Sequence, residues 1–220
     1  MTTIGFLHTA DVHVATFRDL LDELAPATRE VHLVDAALLA DARTGGLTGD
    51  LTSRLDGRLA ELAAAGADLI VCTCSTVGGL AELSGSPGRV PVGVPVLRAD
   101  RPMAEAAVAA GRRIAVVYTS ESTLGPTRDL LLDAAAGTPV RLIEAPCPQA
   151  WPAFENGDLS RYAREVAAAA RLAAPDADVI VLAQASMAPA AALLTDLGVP
   201  VLTSPRTAVQ GALARLTALA

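Results

Sequence analysis

Apolar residues in this chain follow two alternating patterns. Short, largely apolar runs at 4–7, 31–34, 69–72, 94–97, 114–118, 140–143, 179–182 and 199–202 have the length and the Val/Ile/Leu content of buried strands. Between them, 17–24, 51–65, 104–110, 127–135, 159–173 and 188–197 carry apolar residues at helical spacing. A further helix is predicted to begin at Ser75, and a last one to span 207–219. Strand–helix alternation with strands apolar on both faces predicts an α/β fold with mainly parallel sheets.

The pattern occurs twice. TTIGFLHT at 2–9 resembles RRIAVVYT at 112–119, and FRDLL at 17–21 resembles TRDLL at 127–131, both displaced by 110 positions. VHLVDA at 31–36 returns as VRLIEA at 140–145, and ADLIVCTCST at 67–76 as ADVIVLAQAS at 177–186. GVPVL stands at both 93–97 and 198–202. Matches in constant order predict two copies of one three-layer α/β unit, each with a mainly parallel four-stranded sheet. The first is expected over 1–100, with 205–220 packing back on it, and the second over 101–204. Ligands of open α/β sheets bind beyond the carboxyl ends of the strands, so two facing copies would place an active site in the cleft between them.

Composition narrows the partners. The chain has 220 residues, 52% hydrophobic and 19% charged, enough for one sizeable core or two small ones. Its formal net charge is −7 and no basic block stands out, which argues against nucleic acid. No apolar run reaches the ~18 residues of a membrane span. The first residues lack a basic segment followed by an apolar stretch, so no signal peptide is predicted. Three cysteines argue against a disulfide framework and suit a reducing, cytoplasmic setting. The sequence leaves the oligomeric state open, a homo-oligomer included.

The polar residues gather at the predicted strand ends. His8, Thr9, Asp11 and His13 follow the first strand, and Cys74, Ser75 and Thr76 the third. Tyr118, Thr119, Ser120, Ser122 and Thr123 mark the end of the fifth, Gln184 and Ser186 that of the seventh. Thr203, Ser204 and Arg206 follow the eighth. Hydroxyls and turn N–H groups donate to carboxylate oxygens, although any one Ser or Thr there serves equally well as a helix cap. The repeat makes Cys74 and Gln184 equivalent. A thiol at a helix N-terminus suits an acid/base or a nucleophile, while a free cysteine is more commonly a small buried hydrophobe. Cys72, inside the apolar run, is read as structural, and the spacing of Cys147 carries no signal. Cys72 and Cys74 have no second pair to complete a zinc site, and His8 and His13 are too few for one, so no metal is predicted. GGLTGD at 45–50 neither follows a strand nor contains Lys, which discounts a phosphate loop.

These residues resemble the aspartate/glutamate (hydantoin) racemase superfamily over essentially the whole chain. CST at 74–76 resembles the racemases' Cys-Asn-Thr, TSEST at 119–123 their Thr-x-x-Thr segment, and LAQASMA at 182–188 their second-cysteine motif. The resemblance implies an isomerase without metal or organic cofactor, in which Cys74 moves a proton next to the carboxylate or carbonyl of a small acid. It implies that Ser75, Thr76, Thr119 and Thr123 hold the carboxylate. Thr9, Asp11, Tyr118, Ser120 and Ser186, from the polar residues at the strand ends, are the further substrate-binding candidates. The departure is Gln184 at the second cysteine position. An amide is no general base near neutral pH, but it donates a hydrogen bond to an enolate or carboxylate oxygen. Two-thiol racemisation is thereby put in doubt, with Asp11 or a histidine as the candidate replacement base. A one-thiol decarboxylase of the arylmalonate type, and a non-catalytic small-carboxylate binder, stand as the alternatives.

Overall fold

A computed structural model describes residues 2–86 and 93–219. Strands β1 (Thr3–His8), β2 (Arg29–Val34), β3 (Leu69–Cys72) and β4 (Val96–Arg98) alternate with helices α1 (Val12–Leu24), α2 (Ala36–Gly45), α3 (Gly49–Ala64) and α4 (Ser75–Ser84). After α5 (Arg101–Ala110) come β5 (Arg113–Tyr118), α6 (Glu121–Ala135), β6 (Arg141–Pro146), α7 (Trp151–Glu155) and α8 (Leu159–Ala173). The chain closes with β7 (Val179–Leu182), a 3-10 segment (Ala185–Leu193), β8 (Val201–Thr203) and α9 (Ser204–Leu219).

Among the described residues all strand pairings are parallel, in two four-stranded sheets ordered β2-β1-β3-β4 and β6-β5-β7-β8. The α/β expectation holds. Compact unit 1 comprises Met1–Asp100 and Pro205–Ala220; unit 2 comprises Arg101–Ser204.

Within each unit the repeat extends to single hydrogen bonds. Ile4 pairs with Leu69 in β1–β3, and Ile114 with Val179 in β5–β7. Asp68 accepts from the Thr3 N–H at 2.8 Å, as Asp178 accepts from the Arg113 N–H at 2.8 Å. The Arg113 guanidinium, then the Arg113 and Arg112 N–H groups, hold the Asp178 carboxyl down to about 2. These carboxylates fasten the start of the first strand to the start of the third in each sheet.

Strands buried on both faces account for the unbroken apolar runs. In unit 2, Ala115, Val117, Ile180 and Leu182 pack with Tyr162, Val166 and Ala170 of α8. Ile114, Val116, Val179 and Val181 pack with Met103 and Ala107 of α5 and Leu130 and Leu131 of α6. In unit 1, Leu7, Ile70 and Cys72 face Leu38, Leu55, Leu59 and Val77 of α2–α4.

Three expectations need correction. The fourth and eighth strands start later than 94 and 199, at Val96 and Val201. A proline has no N–H to give a ladder, so pairing begins with the carbonyls of Pro95 and Pro200, which accept from Ile70 and Ile180 at 2.9 Å. The α-helix predicted over 188–197 is the 3-10 segment instead; Pro189 lies inside it and removes a donor that an α-helix would use. Helix α2 was not predicted, because only Leu38 and Ala42 of its ten residues are buried, too few to print a period.

Candidate active site

The β3 end of unit 1 carries the thiol. Cys74 has extended backbone (φ −103°, ψ 115°), and the chain turns directly into α4 through Ser75 and Thr76, both buried. Its side chain makes no cap hydrogen bond. The three cysteines divide by environment. Cys72 is 1% exposed and Cys147 is 0%, against 7% for Cys74. Burial, followed by the neighbouring Cys74, pushes the Cys72 thiol up to about 12. Burial, then Glu165, does the same for Cys147, whose Sγ rests 3.3 Å from the Tyr118 carbonyl oxygen. Neither forms thiolate near neutral pH. Thr9 is buried just beyond β1, while Asp11 is exposed at the start of α1, where its side chain makes no cap hydrogen bond.

The β7 end of unit 2 copies this backbone. Gln184 is extended (φ −123°, ψ 139°) and leads directly into the 3-10 segment. Its Oε1 accepts both from the Thr119 N–H at 2.9 Å and from the Thr119 hydroxyl at 2.6 Å. A backbone N–H only donates, so the oxygen of this amide must face Thr119. The NH2 end is left facing the other way and has nothing but protons to offer. Ser186, two residues on, shares a 2.8 Å hydrogen bond with the Tyr162 hydroxyl of α8. Burial raises the Tyr162 phenol, with its hydrogen bonds to Ser186 and Thr119 acting against that shift. Thr119, Gln184, Tyr162 and Ser186 thus form one network.

The remaining residues of the 119–123 segment make other contacts. Ser120 and Ser122 hydrogen-bond each other at 2.9 Å, and Thr123 is buried in the first turn of α6. The Tyr118 ring joins the core under α6; burial and then Glu121 raise its phenol.

The sequence marks His8 and His13 as candidates for a base, but nothing in it points to His32. His8 is fully buried, with Nδ1 2.9 Å from the Thr73 Oγ1 and Nε2 2.8 Å from His32 Nδ1. His32 Nε2 in turn lies 3.1 Å from Glu30 Oε2. Burial, then His32 and His13, pushes His8 down to about 3; burial pushes His13 to about 4. Bases this weak are poorly matched to proton abstraction near neutral pH. A row of side chains bridging neighbouring strands has no sequence period, so nothing at 30–32 announced it. Among the described residues, no group of three or more His, Cys, Asp or Glu side chains is placed to hold a metal ion. Among them also, no helix is long and apolar enough to cross a membrane.

A parallel α/β unit built twice, with polar residues at the strand ends and a thiol in one copy where the other has an amide, defines a duplicated α/β enzyme class. The chain belongs to the Asp/Glu/hydantoin racemase family, whose model matches residues 9–212, and it is an enzyme of that superfamily. Its fold is similar to the aspartate racemase of Picrophilus torridus, with a TM-score of 0.76 at 12% identity over 99% of this chain and 95% of that one. Allantoin racemase from Klebsiella pneumoniae gives 0.69 at 20% identity, over 100% and 89%. A mutant of arylmalonate decarboxylase in a sulfate-associated form gives 0.64 at 17%, over 99% and 94%. Among curated proteins, none matches the chain in sequence.

Proposed function

We propose that the enzyme is a cofactor-independent isomerase of the racemase type, in which Cys74 transfers a proton at the carbon next to a carboxylate or carbonyl of a small acid. The observation that carries this reading is the division of labour between equivalent positions. Cys74 stands at the turn from β3 into α4 as Gln184 stands at the turn from β7 into the 3-10 segment, and Gln184 is locked by Thr119 into an orientation that only donates. Removing a proton next to a carboxylate places negative charge on the carboxylate oxygens. Donors aimed where that charge develops are commonly the largest catalytic term. Thr9, Ser75, Thr76, Ser120, Thr123 and Ser186 are the hydroxyls assigned to substrate, with Asp11 and Tyr118 at the margin of the set. Both donors of Thr119 are occupied by Gln184, so its part is to aim that amide rather than to hold the substrate directly.

The same locked amide favours a second reading. With one thiol and one fixed donor, carbon dioxide loss followed by protonation from a single face needs no second base. The fold similarity to arylmalonate decarboxylase supports that alternative, and the similarity to aspartate and allantoin racemases supports the first.

Solvent deuterium uptake by a panel of small α-substituted acids and malonates separates the readings. Exchange or isomerisation without loss of mass indicates proton transfer, and release of carbon dioxide indicates the lyase. Binding with neither indicates a carboxylate sensor. Cys74→Ser should lower the turnover by a factor on the order of 10² or more, as for loss of a positioned acid/base. Full activity in that variant would remove the thiol from the mechanism.

A further inference from the structure

The row of side chains across the first sheet is unusual for a core. His8 and His32 sit on neighbouring strands with ring centres 5.1 Å apart, nearly parallel; Phe6 stacks on both and Phe17 lies against His8. The row begins at Glu30, which Arg18 of α1 holds by a 2.8 Å bond to Oε1. It ends at the Thr73 hydroxyl, itself 3.2 Å from the Leu7 carbonyl oxygen. The fold does not demand it. Unit 2 builds the same sheet with Tyr118 and Ala183 in the places of His8 and Thr73, and Glu144 where His32 stands in the ladder.

Counting protons along the row gives two self-consistent arrangements. In one, the Thr73 hydroxyl donates to Leu7 and accepts from His8 Nδ1–H, and His8 Nε2 accepts from His32 Nδ1–H. His32 Nε2 then needs a second proton to face Glu30. Without it, two lone pairs meet at 3.1 Å, in buried atoms that have no other partner among the described residues. In the other arrangement every bond runs the opposite way. Thr73 donates to His8 Nδ1, His8 Nε2–H to His32 Nδ1, and His32 Nε2–H to Glu30. The two arrangements differ by one proton and by the partner of the Thr73 hydroxyl.

We propose that Glu30, His32 and His8 are positioning residues that form a proton-linked chain, whose loading at the Glu30–His32 end sets whether Thr73 bonds to Leu7 or to His8. Thr73 immediately precedes Cys74, and its N–H already donates to Leu7 at 3.0 Å. The chain therefore adjusts the backbone that carries the thiol. This role for Cys74 rests on the function proposed above; the chain itself does not. The charged and titratable groups around it are His13, with its ring centre 6.3 Å from His8, and Arg18, with Asp19 and Asp22 beside it. Cys72 and Cys74 belong to the core on the other face of the sheet. Burial keeps His8 neutral, so it changes tautomer rather than charge.

The whole 15N-labelled chain has only three histidines, so each ring can be followed by long-range 1H–15N correlation during a pH titration. As pH falls, His32 should gain a proton while His8 passes from Nε2–H to Nδ1–H with the same midpoint. Glu30→Gln should shift both midpoints together. Thr73→Val leaves the bond between the two rings in place, so His8 should still follow His32, while the connection to Leu7 is lost. A single, unchanging His8 tautomer throughout would overturn the chain. The positioning role is read without substrate, from the rate at which iodoacetamide alkylates Cys74. The ratio of wild type to Thr73→Val should change across the shared midpoint by about threefold or more, within the range of one hydrogen bond. A constant ratio would overturn the role. Neither readout depends on turnover, so failure of the exchange assay above would leave the chain standing.

Discussion

At the scale of single residues, equivalent positions that differ are the informative ones. Gln184→Ala removes the fixed donor and should cost about 1–3 kcal/mol of activation free energy, the scale of one polar contact. It should therefore be milder than Cys74→Ser in the same exchange assay. Gln184→Cys restores a thiol pair and should add slow racemisation of one enantiomer in deuterated water; strictly one-faced exchange in that variant would argue that residue 184 never meets the reacting carbon. A different prediction concerns acid. The native pKa values of His8 and His13, about 3 and about 4, lie below the ordinary 6.5. The unfolded chain therefore binds protons that the native one does not, and stability is complete above 6.5 and declines as pH falls towards those values. Each such histidine contributes a slope of about 1.4 kcal/mol per pH unit in that window. Urea unfolding between about pH 7 and about pH 5 should show a shallower decline for His13→Gln than for wild type. Cys74 and Gln184 were legible because the repeat aligned them. His32 and Tyr162 were not, because what makes them matter is a hydrogen bond to a residue on another element.

At the scale of elements, what the pattern resolved well were the third strands, Leu69–Cys72 and Val179–Leu182, and helix Leu159–Ala173, all found at the predicted bounds. These are central or strongly amphipathic, so burial alone delimits them. Edge strands are delimited by prolines and ladder donors, which a hydrophobic run does not register. Close packing was equally invisible. A Cβ on Gly5 of β1 would stand 2.9 Å from Ala67 Cβ and 3.3 Å from Leu62 Cβ, near backbone that has little room to yield. Gly5→Ala should thus destabilise the protein by about 1–3 kcal/mol, the usual cost of overpacking. The corresponding residue of β5 is Ala115, fully buried, so the second sheet already accommodates the Cβ that the first has no room for. A Gly5→Ala protein with unchanged thermal midpoint would mean that α3 shifts away from the sheet without penalty.

At the scale of the molecule, duplication was the most legible feature, because two copies print the same order of strands at nearly constant spacing. What the hydrophobic pattern does not carry is the orientation of an amide or the tautomer of a ring. Unit 1 is discontinuous: its last segment, Pro205–Ala220, follows the whole of unit 2 in sequence. That segment brings Ala208, Val209 and Ala212, each 0% exposed, and an ion pair from Arg206 to Glu23. Deleting 205–220 should lower the unfolding midpoint of unit 1 while leaving that of unit 2 in place, a difference that hydrogen exchange resolves segment by segment. The order of synthesis then runs against the order of completion. Unit 2, Arg101–Ser204, is continuous and can close as soon as it leaves the ribosome, whereas residues 1–100 must wait for the final helix. At about 5–20 residues per second that wait lasts about 6–24 seconds. During it, the half-made first unit, and with it the turn that carries Cys74, is the part of the nascent chain most in need of a chaperone.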